Sequence, residues 1–119
     1  MPRAEIIYKE LSYRINGLLF GVHNTLGRYA REKQHGDALE KALSEHHIPH
    51  RREFALTHPD LPDRSNIVDF IIDEKMLVEL KAKPRLERED YSQTLRYLDC
   101  SGLKLALLVN FRSSVLTPR

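Results

Sequence analysis

The stretch Ile67 to Lys83, "IVDFIIDEKMLVELKAK", decides how this chain folds. Two apolar runs, about Asn66 to Ile72 and Met76 to Ala82, flank the charged turn Asp73-Glu74-Lys75. Their continuous hydrophobicity predicts strands buried on both faces. Asp69, Glu79 and Lys81 interrupt those runs. With the turn centred on Glu74, residues equidistant from it face one another, so Asp69 stands opposite Glu79. Glu79 and Lys81 share a face because side chains alternate along a strand. A two-residue loop would instead set Asp69 against Val78, an acid among apolar neighbours, so the odd-length turn is expected.

Two carboxylates about 5 Å apart repel by about 3 kcal/mol at an effective dielectric near 20, and something must offset that. Lys81 does so in part. A divalent cation with hard oxygen ligands, magnesium or manganese, does so more completely. The ordinary alternative is a protonated or arginine-bonded Asp69 beside a Glu79–Lys81 ion pair. A cation on paired carboxylates activates water and polarises a phosphoryl oxygen, and a nearby ammonium offsets developing charge. The set therefore suits phosphodiester hydrolysis.

Outward from this centre the elements are legible. Ile7, Leu11, Ile15, Leu18, Leu19 and Val22 recur at threes and fours, predicting a first helix from about Glu5 to Leu26, stopped near Gly27. A second helix runs from about Arg31 to Glu45, with Ala38, Leu39, Ala42 and Leu43 on one side. A short strand from His50 to Leu56 precedes a polar loop marked by Pro59 and Pro62. After Pro84, "LEREDYSQTLRYLDCSG" supplies a third helix ending at Gly102, and "KLALLVNF" a last buried strand. "RSSVLTPR" reads as a short edge strand or a loose tail. The fold class expected is mixed α/β: an αβββαβ core, a mixed sheet flanked by helices, with an additional N-terminal helix.

The 119 residues, 41% of them hydrophobic, suit a single domain over 1–119 with one modest core. A net charge of +2 does not by itself name a nucleic-acid partner. The lone Cys100 excludes an internal disulfide, and the early charges Arg3, Glu5, Lys9 and Glu10 fit neither a signal peptide nor a membrane span, so a cytoplasmic protein is expected. No glycine-rich phosphate loop and no G-x-S-x-G serine is present, which argues against an NTPase, a Rossmann enzyme or a serine hydrolase. His46, His47, His50, Arg51 and Arg52 form a basic turn without familiar zinc-ligand spacing. Arg51, Arg52, Lys83, Arg85, Arg88 and Arg96 are candidate phosphate contacts, although Glu87, Glu89 and Asp90 interrupt any basic stripe. Asn110 is expected to cap a turn.

Asp69 followed by Glu79-Leu80-Lys81 resembles the D…ExK pattern of the PD-(D/E)xK nuclease superfamily. "VHNTLG", Glu32, "IVDFII", "VELKA", "SQTLRYL" and "LLVNF" follow one another as in the small GxxExxY protein family, from about Ile7 to Phe111. The resemblance implies a magnesium- or manganese-dependent nuclease acting on nucleic acid, DNA ahead of RNA. Asp69, Glu79 and Lys81 would be catalytic, with Glu32 as a third acid in the metal shell. The name-giving motif is altered: this chain reads Tyr29-Ala30-Arg31-Glu32-Lys33-Gln34-His35, so only the glutamate survives. His35, one turn after Glu32, is expected to reach a phosphate or a metal-bound water. Gln93 and Tyr97, four residues apart, resemble the Q-x-x-x-Y spacing of RecB-like nucleases and imply support for Lys81 or contact with DNA. The alternative is a catalytically inactive nuclease-fold module for nucleic-acid binding or protein assembly. A homodimer or protein partner is a further expectation, given the small surface of the chain.

Overall fold

The computed structural model describes residues 8–57 and 66–113. The expected loop with Pro59 and Pro62, the first residues of the first helix and all but the start of "RSSVLTPR" lie outside those residues. The order is α1 (Lys9–Leu26), α2 (Glu32–Glu45), β1 (His50–Ala55), β2 (Ile67–Ile72), β3 (Met76–Lys81), α3 (Arg88–Ser101) and β4 (Leu105–Asn110). The strands lie side by side as β1-β2-β3-β4. The first two junctions are antiparallel and the β3–β4 junction is parallel, with α3 as the crossover. This is the mixed α/β architecture the sequence predicts.

Local chemistry sets the ends of the helices. Gly27 closes α1 at φ 79°, its N–H donating to His23 O at 2.8 Å, a conformation that costs a side chain energy. The Gln34 side chain accepts the Arg31 N–H at 2.8 Å at the start of α2. Asp90 does the same for the Glu87 N–H at 2.7 Å at the start of α3.

Both faces of the sheet are covered, which is why β2 and β3 read as continuous apolar runs. Ile15 and Leu19 of α1 and Leu39 and Leu43 of α2 pack on Phe70, Ile72, Val78 and Leu80. On the other face Tyr97 of α3 packs with Val68, Ile71 and Leu77.

The turn between β2 and β3 is centred as expected. Ile72 pairs with Met76, Ile71 with Leu77 and Phe70 with Val78, all equidistant from Glu74. Lys75 N–H donates to Ile72 O at 3.0 Å, and both central residues, Asp73 and Glu74, have positive φ of 54°. Such a primed turn suits a twisted hairpin, and Lys75 is the extra residue that makes the loop odd.

Candidate active site

The ladder is interrupted at Asp69. The β2–β3 pairing stops at Phe70, and in β1 the residue facing Asp69 is Glu53, unpaired between Arg52↔Phe70 and Phe54↔Val68 and held at φ 52°. Side-chain alternation inverts there. Phe70 faces α1 and α2, whereas Val68, two residues away, faces α3. Regular alternation would put both on one face, so the backbone twists through Asp69 as it does at a bulge.

The two acids fill the gap that this dislocation leaves. Asp69 N–H donates to Glu79 Oε1 at 2.8 Å, and Leu80 N–H donates to Asp69 Oδ2 at 2.7 Å. Each carboxylate therefore takes a backbone donor on the neighbouring strand, in place of the flat, face-sharing pair expected from register alone. Convergence is achieved by crossing. Glu79 is 3% exposed, and burial first, then the Asp69 carboxylate, push its pKa up to about 8. Burial also raises the Asp69 pKa, with the Leu80 N–H and the Lys81 charge acting against it.

Lys81 continues the face of Glu79 and meets α3. Its Nζ donates to Gln93 Oε1 at 3.4 Å and lies 3.9 Å from Asp90 Oδ1. Gln93 thus touches the lysine. Asp90, 7% exposed, also receives Lys83 Nζ at 3.0 Å. Burial pushes the Asp90 pKa upward, but the Glu87 N–H and the Lys83 ammonium outweigh it and hold the group below its usual range. Asn110 fastens the segment beyond Lys81: its Oδ1 accepts the Lys83 N–H at 3.1 Å and its Nδ2 donates to Lys83 O at 2.9 Å.

A cleft of about 200 Å³ opens over Asp69, walled by Glu32 and Gly36 of α2 and by Arg52 and Glu53 of β1. Desolvation at this wall and the charge of Asp69 raise the pKa of Glu32. A Cβ on Gly36 would come within 2.6 Å of Arg52 Nη2, so the glycine lets that guanidinium lie against α2. Arg52 is held there by Asp37 at 2.6 Å and Glu40 at 3.1 Å, and Arg51 pairs with Glu74 at 2.7 Å. Of the candidate phosphate contacts, Arg51, Arg52 and Lys83 are thus engaged in ion pairs within the fold.

His35 is a correction. Far from facing the cleft, it is 0% exposed and stacks on Phe111 with ring centroids 4.1 Å apart. Its Nε2 donates to Gly27 O at 3.0 Å, while Nδ1 is buried without a partner, the pattern of a neutral ring. Burial accordingly lowers its pKa. Residues three apart on a helix differ by about 60° in direction, enough to put Glu32 on the cleft wall and His35 in the core. Tyr97, 2% exposed, lies in the core beneath α3, packed with Val68, Ile71 and Leu77.

Two acids near the site were not singled out from the sequence. Asp90 precedes Gln93 by three residues on one helix face, a signal that was available. Glu53 carried no such signal, since its place opposite Asp69 depends on strand pairing.

The donor set fits a hard divalent cation, because two buried carboxyl groups, Asp69 and Glu79, meet beside a cleft whose wall carries Glu32. Among the described residues no three His, Cys, Asp or Glu side chains gather into a complete ligand group. Two carboxylates supplemented by water and substrate phosphate is the mode magnesium commonly adopts. Among the described residues no helix is long and apolar enough to cross a membrane. Searches of curated proteins and of solved structures gave no match. Residues 9–118 match the PD-(D/E)XK nuclease superfamily, whose members generally use divalent metals on nucleic-acid substrates, and with nearly the whole chain covered and a sheet of the corresponding kind, the chain belongs to that superfamily.

Proposed function

We propose that this chain is a metal-dependent nuclease of the GxxExxY group that hydrolyses phosphodiester bonds in DNA, with magnesium or manganese as cofactor, in the cytoplasm. The observation that carries the reading is the crossed pair Asp69–Glu79, with its reciprocal hydrogen bonds at 2.8 and 2.7 Å, next to a lysine held by Gln93. Such a pair interrupts a sheet in its interior, and its burial raises both carboxyl pKa values, a costly arrangement for stability alone. Asp69 and Glu79 would hold the cation, with Glu32 as an outer acid. The cation, when bound, supplies charge that activates water and polarises the phosphoryl oxygen. Lys81 orients the attacking water and offsets the charge that develops on the phosphoryl group. Gln93 and Asp90 fix the position of its ammonium.

The test is cleavage of labelled plasmid and oligonucleotide DNA with magnesium, manganese or EDTA. The wild-type protein should cut only with metal, and Asp69→Asn, Glu79→Gln and Lys81→Ala should each lose about 100-fold or more while remaining folded. Cleavage indifferent to Lys81→Ala, or no cleavage with either metal, would overturn the proposal in favour of a non-hydrolytic nuclease-fold module.

A further inference from the structure

Beside the cleft lies a surface that the hydrolytic site does not use. Between the end of α1 and the start of α2, Tyr29 is 74% exposed. Two guanidinium carbons approach its ring, Arg28 Cζ at 5.0 Å and Arg112 Cζ at 5.7 Å from the centroid. The corner is fastened to the segment after β4 by a reciprocal pair of hydrogen bonds. Arg28 Nε donates to Arg112 O at 3.0 Å and Arg112 Nε donates to Arg28 O at 3.2 Å. Unlike Arg51, Arg52 and Lys83, neither arginine pairs with a carboxylate among the described residues.

This corner is close to the catalytic lysine. Phe111, immediately before Arg112, donates its N–H to Lys81 O at 2.9 Å, and Asn110 is the register partner of Lys81. One strand spacing and two residue steps put the patch on the order of 10 Å from Lys81. Glu32, the acid of the cleft wall, follows Tyr29 by three residues. Tyr29 is also the position where the altered motif departs from glycine.

We infer that the Arg28–Tyr29–Arg112 corner is a stacking platform for an unpaired base of single-stranded DNA whose neighbouring phosphates meet the two arginines. The inference rests on the nuclease reading and adds a substrate class to it. An exposed aromatic ring offers a π face to any base, but a duplex keeps its base faces stacked inside. Guanidinium groups without a carboxylate partner are suited to phosphate oxygens. A rigid corner that joins these groups a few nucleotides from the cleft therefore selects an unpaired strand.

The test is fluorescence anisotropy in EDTA, where binding is read without cleavage, using labelled oligodeoxythymidine of about 15 nucleotides and a duplex of equal length. The wild-type protein should bind the single strand at least about fivefold more tightly than the duplex. Tyr29→Ala and Tyr29→Leu should each weaken single-strand binding by about 5- to 100-fold with duplex binding changed less than about twofold, and Tyr29→Phe should retain it. Equal binding of the two probes by wild type, or unchanged single-strand binding by both Tyr29→Ala and Tyr29→Leu, would overturn the inference. Metal-dependent cleavage with no effect of Tyr29 would remove the platform alone, whereas Tyr29-dependent binding without cleavage would remove the nuclease reading alone.

Discussion

Glu79 should make the metal-free protein lose stability as pH rises, opposite to the behaviour of an ordinary salt-bridged carboxylate. Its pKa goes from 4.5 in the unfolded chain to about 8 in the fold, because burial and then the Asp69 carboxylate oppose its charge. Between those values the native state binds a proton that the unfolded chain has released, so the unfolding free energy falls with pH. The contribution is fully present below pH 4.5 and gone above about 8. At about 1.4 kcal/mol per pH unit, the whole window is worth at most about 5 kcal/mol. Asp69, also raised, acts with the same sign. Urea unfolding in EDTA at about pH 5.5, 7 and 8.5 measures it, with an expected fall on the order of 3 kcal/mol over that span. Glu79→Gln keeps an oxygen for the Asp69 N–H but cannot ionise, so its stability should fall clearly less than wild type across the same range, by no more than Asp69 contributes. Magnesium or manganese in excess should recover most of the wild-type loss at pH 8.5 by binding only the folded form. Parallel pH profiles for wild type and Glu79→Gln would refute the reasoning.

Three further outcomes follow from particular contacts. His35→Ala should cost about 2–4 kcal/mol by opening a cavity under Phe111, with DNA cleavage per folded molecule kept within about twofold; a loss comparable to that of Lys81→Ala would return His35 to the site. Gly36→Ala should change stability by less than about 0.5 kcal/mol in wild type, since helix propensity gained is offset by displacing Arg52 from Asp37 and Glu40, but should stabilise an Arg52→Ala protein by about 1 kcal/mol. Equal effects in the two backgrounds would disprove that contact. Asp90→Asn should lower kcat about 10- to 100-fold with little change in KM, because it frees Lys81 and Lys83 without touching substrate; a change confined to KM would assign Asp90 to binding instead.

The sequence by itself determined the element order, the two-sided burial of β2 and β3 and the register between them, because each depends on period, run length and turn length within a short segment. The odd turn at Asp73-Glu74-Lys75 brought Asp69 to Glu79, and a four-residue helical spacing brought Gln93 and Tyr97 to one helix, with Gln93 against Lys81 and Tyr97 in the core below. Tertiary structure alone decided the rest. The break in β2 coincides with Glu53, an acid of the preceding strand, at a positive φ opposite Asp69, a pairing that no local spacing reports. The fate of His35 was set by the corner at Gly27 and by Phe111 arriving from the last strand, which turned a residue spaced to follow Glu32 into the core. Arg28 and Tyr29 lie before α2 and Arg112 follows β4, and the folding of the chain brings them together at one corner, tied by reciprocal hydrogen bonds. Periodicity reports which way a side chain points from its own element. Which partner it meets there is fixed by long-range packing, and the chemistry of this site depends on those partners.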